Sequence, residues 1–451
     1  MATKYLVPNW LAASAAAFPT ETALIGAGQR VTYEELEREA AEAARRLAGL
    51  GVDRGARVAI VLEPSRGHVA LLHGLMKLGA VAAPLDPKLT EAELDARLGG
   101  MSPTLVVHDL DQIMEAREAD VELDTTIDLE APHCVIHTSG SGGRAKAVEL
   151  TYANHFWSAI GSATRIGTEP ADRWLCALPL NHIAGLAIVL RSALYGTAAV
   201  LARMDPEEVR EVVVAERVTI ASLVGTALAR LLDAGVELDR LRCVLLGGGP
   251  VPKDLIDRAL GAGVAIAPTY GLTEAASQVT TLPPGQARAK PGSAGTPILP
   301  AEIRIEEGTI LVRGSNVAQG ELGSDGWLRT GDLGHIDDDG HLYVHGRGDE
   351  VIVTGGENVS PEEVEAALCA HPAVADAGVT GREDPEWQYA VVASVVLRDG
   401  AESSEPELRD FCRGRLAGFK VPKQILFVKE LPRNAQGKLV RSRLLIRSPS
   451  S

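Results

Sequence analysis

Cysteine is scarce and unpatterned in this chain: Cys134, Cys176, Cys243, Cys369 and Cys412 are far apart, odd in number and never spaced as CxxC. That excludes a disulfide framework and a zinc site as organising devices, and makes a reducing cytoplasm the expected compartment. Nowhere is there the run of about 20 apolar residues that crossing a bilayer requires, so no membrane span is expected. Positive charge is in deficit, with 44 Lys+Arg against 60 Asp+Glu and a net charge of -16. Such a balance repels a phosphate backbone and excludes general nucleic-acid binding, so any anionic ligand must meet positive charge concentrated locally. Internal repeats and low-complexity tracts are missing too, and nothing in the sequence marks an oligomer interface.

What is present can fold. A chain of 451 residues, 46% hydrophobic and 23% charged with a mean hydropathy of +0.06, can bury a large apolar surface. It is too long for one ordinary core, so a large domain plus a smaller one is expected. The Ala-rich segment Trp10 to Phe18 imitates a weak signal peptide, but only Lys4 precedes it and Pro19 and Thr20 follow without a cleavage context. It is read as an amphipathic first helix.

Helix starts are marked by Thr32 with Glu35, Thr90 with Glu93, and Ser360 with Pro361 and Glu363, each a capping-box pattern. Arg57 to Leu62, a helical stretch through Leu78, and Ala80 to Pro84 form a βαβ unit. The alternation recurs with Trp174 to Leu178, Gly185 to Leu194, Val218 to Val224 and Cys243 to Leu246. The fold class is therefore α/β, with helix-covered parallel sheets. After about Ala287 short Gly-punctuated strands, Glu302 to Glu306 and Thr309 to Arg313, predict a β-rich subdomain ending near His345. Beyond it, strands Val374 to Val379, Ala390 to Leu397 and Ile425 to Val428 alternate with helices starting near Ser360 and Glu405, enough for a small α+β domain.

The strongest local signal is HTSGSGGRAKAV, His137 to Val148. Gly140, Gly142 and Gly143 let backbone N–H groups wrap an oxyanion, Thr138, Ser139 and Ser141 add hydroxyls, and Lys146 adds a point charge. Read alone, it is either a triphosphate cradle or a flexible Gly/Ser turn. An NTPase loop of the form GxxxxGK[ST] is excluded at two positions, because Ala145 replaces the second glycine and Ala147 the magnesium-holding hydroxyl.

With this segment, YGLTE (Tyr270 to Glu274), TGD (Thr330 to Asp332), GRGDEVIVTGGENVSPEEVE (Gly346 to Glu365) and PRNAQGK (Pro432 to Lys438) occur in order along the chain. Together they resemble the adenylate-forming superfamily of acyl-CoA ligases, luciferases and peptide-synthetase adenylation domains. The phosphate loop departs from that pattern at Gly142, Ala145 and Ala147. The resemblance implies ATP and Mg²⁺ as cofactors, with a small-molecule carboxylic acid and coenzyme A as co-substrates. It implies an N-terminal domain of residues 1–346 for ATP and the acid, and a mobile C-terminal domain of residues 347–451. Within it Tyr270 lies on adenine, Gly271 and Thr273 beside the nucleotide, and Gly247, Gly248 and Gly249 against the base. Glu274 would hold Mg²⁺, a hard cation that prefers carboxylate oxygen, and Asp332 would accept the ribose hydroxyls with Arg347 assisting. Lys438 would stabilise charge on the α-phosphate. Asp349 would be the hinge that brings Gly355, Gly356 and Glu357 into the thioester-forming step.

TEAASQ (Thr273 to Gln278), LPLNHIAGL (Leu178 to Leu186), NHFWSAIGSA (Asn154 to Ala163) and GSAGTP (Gly292 to Pro297) are, beyond the superfamily pattern, similar to 2-succinylbenzoate–CoA ligases of menaquinone biosynthesis. An aromatic dicarboxylate keeps a second carboxylate after the first reacts, and that group needs a cation or several donors. Arg191 is the candidate, against the alternative of a helix-surface arginine in an ion pair. His182 is expected in the acyl pocket and in the catalytic set, or else is a satisfied core histidine; Ser277 and Gln278 are expected donors beside the acyl group. Another aryl- or acyl-CoA ligase, or a non-catalytic relative, are the alternatives.

Overall fold

The computed structural model describes residues 5–139, 145–249, 251–354, 357–384, 387–433 and 439–444. Two sheets face each other in the large N-terminal part. A nine-stranded sheet runs in the order Thr296–Pro297, Ser277–Thr281, Ile266–Leu272, Cys243–Leu246, Ile220–Leu223, Arg173–Cys176, Ala198–Leu201, Thr22–Gly26, Gln29–Thr32. Its centre is parallel and its two edges antiparallel. A five-stranded sheet has the order Leu105–Val107, Arg57–Ile60, Val81–Pro84, Pro132–Ser139, Ala145–Thr151. The parallel pairing of Arg57–Ile60 with Val81–Pro84 around the helix Arg66–Leu78 is the expected βαβ unit.

The helices Arg66–Leu78 and Ile183–Tyr195 are buried on nearly every side, and their residues share one core with strands of both sheets. A helix that is apolar all round is stable only where both flanks are covered, which is why these two lie between the sheets. Lys77, 4% exposed inside the first of them, is neutralised by Glu37. The helix Trp10–Ala17 buries Trp10, Leu11 and Ser14 and turns alanine outward, so it is one-sided by burial and carries no charged face, unlike the amphipathic helix expected.

The capping boxes at Thr32 and Thr90 are both formed. The one expected at Ser360 is not: its single hydroxyl hydrogen faces two other acceptors instead, His345 O at 2.9 Å and Glu362 Oε2 at 2.7 Å. Pro361 still opens the helix Pro361–Cys369, where a missing N–H costs nothing. The β-rich subdomain is a four-stranded sheet, Glu302–Glu306, Thr309–Arg313, Leu328–Ile336, Leu342–Arg347. In the smaller C-terminal domain the strands Val374–Asp384 and Gln388–Leu397 form a long antiparallel ladder, with the first running five residues past its expected end at Val379. The helices Pro361–Cys369 and Glu405–Arg413 contribute to this domain's core. Among the described residues no helix is long and apolar enough to cross a membrane.

Candidate active site

A cleft of about 3160 Å³ runs between these parts. Single-ligand pockets span roughly 300–1,000 Å³, so this volume accommodates several ligands together. His137, Thr138, Lys146, His182, Arg191, Gly247–Gly249, Tyr270, Gly271, Thr273, Glu274, Ser277, Gln278, Asp332 and Arg347 all line it.

At one end, Pro132–Ser139 pairs antiparallel with Ala145–Thr151, setting Thr138 opposite Lys146 and Ser139 opposite Ala145. Gly140, Ser141, Gly142 and Gly143 lie outside the described residues. A strand follows Lys146 where an NTPase phosphate loop would start a helix, so the backbone as well as the residue pattern excludes that class. The Lys146 ammonium is held by Glu321, from the turn Gln319–Glu321.

At the next wall, Cys243–Leu246 ends in glycines, and at the first two of them a side chain would force its neighbours to shift. A Cβ on Gly247 would meet Thr269 Cγ2 at 2.8 Å, and Gly248 has φ +83° with Val224 Cγ1 2.8 Å from a Cβ. Tyr270 sits at a bulge in Ile266–Leu272, its ring in the core of the β-rich subdomain. Its hydroxyl donates to Asp332 Oδ2 at 2.6 Å, and burial together with the Asp332 charge holds the phenol pKa well above its usual value. Arg347, directly across the ladder from Asp332, places Nε 3.5 Å from Asp332 Oδ1. Tyr270, Asp332 and Arg347 are thus tied to one another.

Glu274 lies in the turn Thr273–Ala275, followed by two non-glycine residues at positive φ, Ala276 at 49° and Ser277 at 104°. Such backbone is strained and persists where surroundings over-determine it. Here they do: Ala318 N donates to Glu274 O at 2.7 Å, Asn316 Nδ2 to Ala275 O at 3.3 Å and Gln278 O at 3.2 Å, and Ser158 Oγ to Ala276 O at 2.7 Å. Among the described residues no cation pairs with the Glu274 carboxylate. A carboxylate at the cleft wall on a backbone held this way, with no ammonium or guanidinium paired to it among the described residues, fits a hard divalent cation.

Another wall of the cleft is built on the helix Ile183–Tyr195. His182 is its N-terminal cap residue, and burial lowers its pKa, so the ring is neutral at pH 7. His137 is likewise pushed down, to about 4. Arg191, 3% exposed, donates from Nη2 to Ser158 Oγ at 3.0 Å and stands 5.7 Å from the Trp174 ring centroid. Among the described residues no carboxylate lies within 4.0 Å of it, which overturns the alternative of a surface ion pair. Gln278, 1% exposed, donates to Thr281 Oγ1 at 2.7 Å while its Oε1 has no partner among the described residues.

In the C-terminal domain, Asp349 lies in the turn Gly348–Glu350, and Glu357 pairs in register with Thr354; Gly355 and Gly356 lie outside the described residues. So does Lys438. The chain on either side of it is joined by a bridge between Arg433 and Leu439, both of which line the cleft. Sequence reasoning missed Ser158, Asn154 and Asn316. Asn154 Nδ2 donates to Ser315 O and Val317 O at 3.0 Å each, holding the segment that carries Asn316. Ser158 and Asn154 fall within NHFWSAIGSA, but nothing in that stretch says which distant carbonyls its polar groups reach.

Residues 11–322 match the family model of the AMP-binding enzymes, and residues 363–438 that of the AMP-binding enzyme C-terminal domain. The chain is 40% identical to a 2-succinylbenzoate–CoA ligase of Geobacillus kaustophilus (strain HTA426), over 97% of each chain. Its structure is similar to that of o-succinylbenzoate CoA synthetase (MenE) from Bacillus subtilis in complex with the acyl-adenylate intermediate OSB-AMP. The TM-score is 0.92 at 36% identity, covering 98% of this chain and 99% of the other. The same Bacillus subtilis enzyme in complex with ATP and magnesium ion gives 0.91 at 36% identity, covering 98% and 100%. Matched by both family models in order and by a relative over 97% of its length, this protein belongs to the AMP-binding enzymes and, within them, to the family of the 2-succinylbenzoate–CoA ligases.

Proposed function

We propose that the chain joins 2-succinylbenzoate to coenzyme A in two half-reactions. The acid and ATP first give an acyl-adenylate and pyrophosphate; the CoA thiol then displaces AMP to form the thioester. The observation that carries the substrate reading is Arg191, a buried guanidinium at the cleft with no carboxylate beside it among the described residues. A buried cation without a counter-charge is costly, and a substrate carboxylate supplies one. Monocarboxylic acids would leave it unpaired.

In this reading Thr138, Ser139, Ser141 and Lys146 hold the triphosphate, and Gly247 to Gly249 with Tyr270, Gly271 and Thr273 receive the adenine side. Asp332, oriented by Tyr270 and Arg347, accepts the ribose hydroxyls. Glu274 holds Mg²⁺, which supplies charge neutralisation on the phosphates. Lys438 stabilises charge on the α-phosphate during attack by the acid. Neutral His182 shapes the acyl pocket without adding charge, and Ser277 and Gln278 offer polar contacts. The domains divide at residues 346 and 347, with Asp349 as the hinge and Gly355, Gly356 and Glu357 serving the thioester step. The cytoplasm, where ATP and CoA are available, is the proposed location.

The test is mass-detected CoA-thioester formation with ATP and Mg²⁺ across 2-succinylbenzoate, benzoate, fatty acids and amino acids. Strong preference for 2-succinylbenzoate is expected; preference for a monocarboxylic acid would remove the role given to Arg191.

A further inference from the structure

Ser158 lies on the helix Tyr152–Ile166 and is 1% exposed. Its hydroxyl donates to Ala276 O at 2.7 Å and accepts from Arg191 Nη2 at 3.0 Å. A serine hydroxyl has a single hydrogen. Once that hydrogen is committed to Ala276, the oxygen lone pairs are directed away from the carbonyl and are available to the guanidinium. Ala276 is itself a fixed point, because Asn316 Nδ2 and Ala318 N tie the carbonyls of Ala275, Gln278 and Glu274 on either side of it. Among the described residues, Ser158 is the one hydrogen-bond acceptor facing Arg191.

We propose that Ser158 is a positioning residue for acid recognition: it transfers the fixed position of the Ala276 carbonyl to the Arg191 guanidinium. The remaining donors of the guanidinium are thereby left for a substrate carboxylate. This inference rests on the reading of Arg191 as the receptor for that carboxylate. Removing the hydroxyl leaves the Thr273–Gln278 segment held by Asn316 and Ala318 but lets Arg191 shift within its pocket, where a displacement of about 1 Å is enough to degrade binding geometry.

The experiment is a double-mutant cycle on the full chain with Ser158→Ala, Arg191→Gln and the pair. KM and kcat are measured for 2-succinylbenzoate, for analogues that each lack one of its carboxylates, and for ATP. Ser158→Ala is expected to raise KM for the dicarboxylate on the order of tenfold, the loss of one hydrogen bond to a charged group. KM for ATP and for the analogue still turned over should move by less than about twofold, and the double variant should be no worse than Arg191→Gln alone. Additive losses, or an equal rise for the dicarboxylate and the analogue, would overturn the proposal, since a merely structural serine acts on both alike. Should Ser158→Ala melt below the assay temperature, Ser158→Cys, close in volume and weaker as a donor and acceptor, carries the same cycle with the same criteria. If the wild-type chain ignores 2-succinylbenzoate but consumes another acid, the substrate reading fails while the Ser158–Arg191 coupling is still decided with that acid.

Discussion

Tyr270 donates its phenolic hydrogen to Asp332 at 2.6 Å, joining the nine-stranded sheet to the four-stranded sheet that carries Asp332 and Arg347. The bond makes Asp332 an oriented acceptor and stitches two sheets at the cleft wall. Tyr270→Phe keeps the ring and removes only this tie. KM for ATP should rise about tenfold, roughly 1.4 kcal/mol, with KM for the acid unchanged. Initial rates with each substrate varied in turn check it, and a rise confined to the acid would contradict the assignment.

Gly271 is the tightest point of the hairpin that aims Glu274. A Cβ there would lie 1.7 Å from Ser277 O, a backbone atom with no rotamer to yield. Gly271→Ala should therefore displace the Thr273–Gln278 segment and reduce kcat/KM on the order of a hundredfold. The far-ultraviolet circular dichroism spectrum should stay close to that of the parent. Wild-type activity in the alanine variant would show that the segment adapts.

Much of this arrangement is legible in the sequence because it is local. Thr32 and Thr90 announce their helices because a cap needs only residues three apart, and the βαβ unit follows from periodicity within about thirty residues. Ser360 shows the limit of such reasoning. It has the same local pattern, but His345 and Glu362 offer its hydroxyl partners that a pattern over neighbouring residues does not weigh. The site divides likewise. Tyr270, Glu274 and Asp332 stand in recognisable motifs, whereas Ser158 and Asn316 act on carbonyls 118 and 41 residues away in the chain. Arg191 is legible as a candidate, but its lack of an acidic neighbour among the described residues is a property of packing.

Four histidines are buried and neutral. Desolvation brings His68 to about 4 and His73 and His155 to about 3, and lowers His133 well below its usual value. Their folded pKa values lie below the unfolded value of about 6.5, so the unfolded chain binds more protons as pH falls. Their stability contribution is complete above pH 6.5 and is lost progressively below it. Both ring nitrogens of His73 lack partners among the described residues. His73→Leu should remove one proton from the pH dependence of unfolding and gain about 2 kcal/mol relative to the parent at pH 5, with little pH-linked gain at pH 8. Denaturant unfolding at the two pH values measures this, and an equal change at both would refute the linkage.

Arg441 stands three residues beyond Lys438 and reaches Glu350 beside Asp349, the proposed hinge, and Glu362 at 2.9 Å and Glu365 at 2.8 Å on the helix Pro361–Cys369. One guanidinium thus balances three carboxylates, and burial raises Glu365 to about 7 even though Arg441 opposes that shift. Because the folded pKa of Glu365 exceeds its unfolded value, ionising it costs stability as pH rises through 7, and that cost is smallest at acid pH. Arg441→Gln removes the opposing charge. It should cost about 3 kcal/mol at pH 8, typical of breaking a buried ion pair from one side, and distinctly less near pH 5.5, where Glu365 is protonated. The same variant loosens the attachment of the segment bearing Lys438. Pyrophosphate exchange, which reports the adenylation half-reaction, should therefore fall further at pH 8 than at pH 6, while thioester formation from supplied acyl-adenylate is less affected. A pH-independent loss, or equal loss of both half-reactions, would show that Arg441 does not act through Glu365 and the lysine.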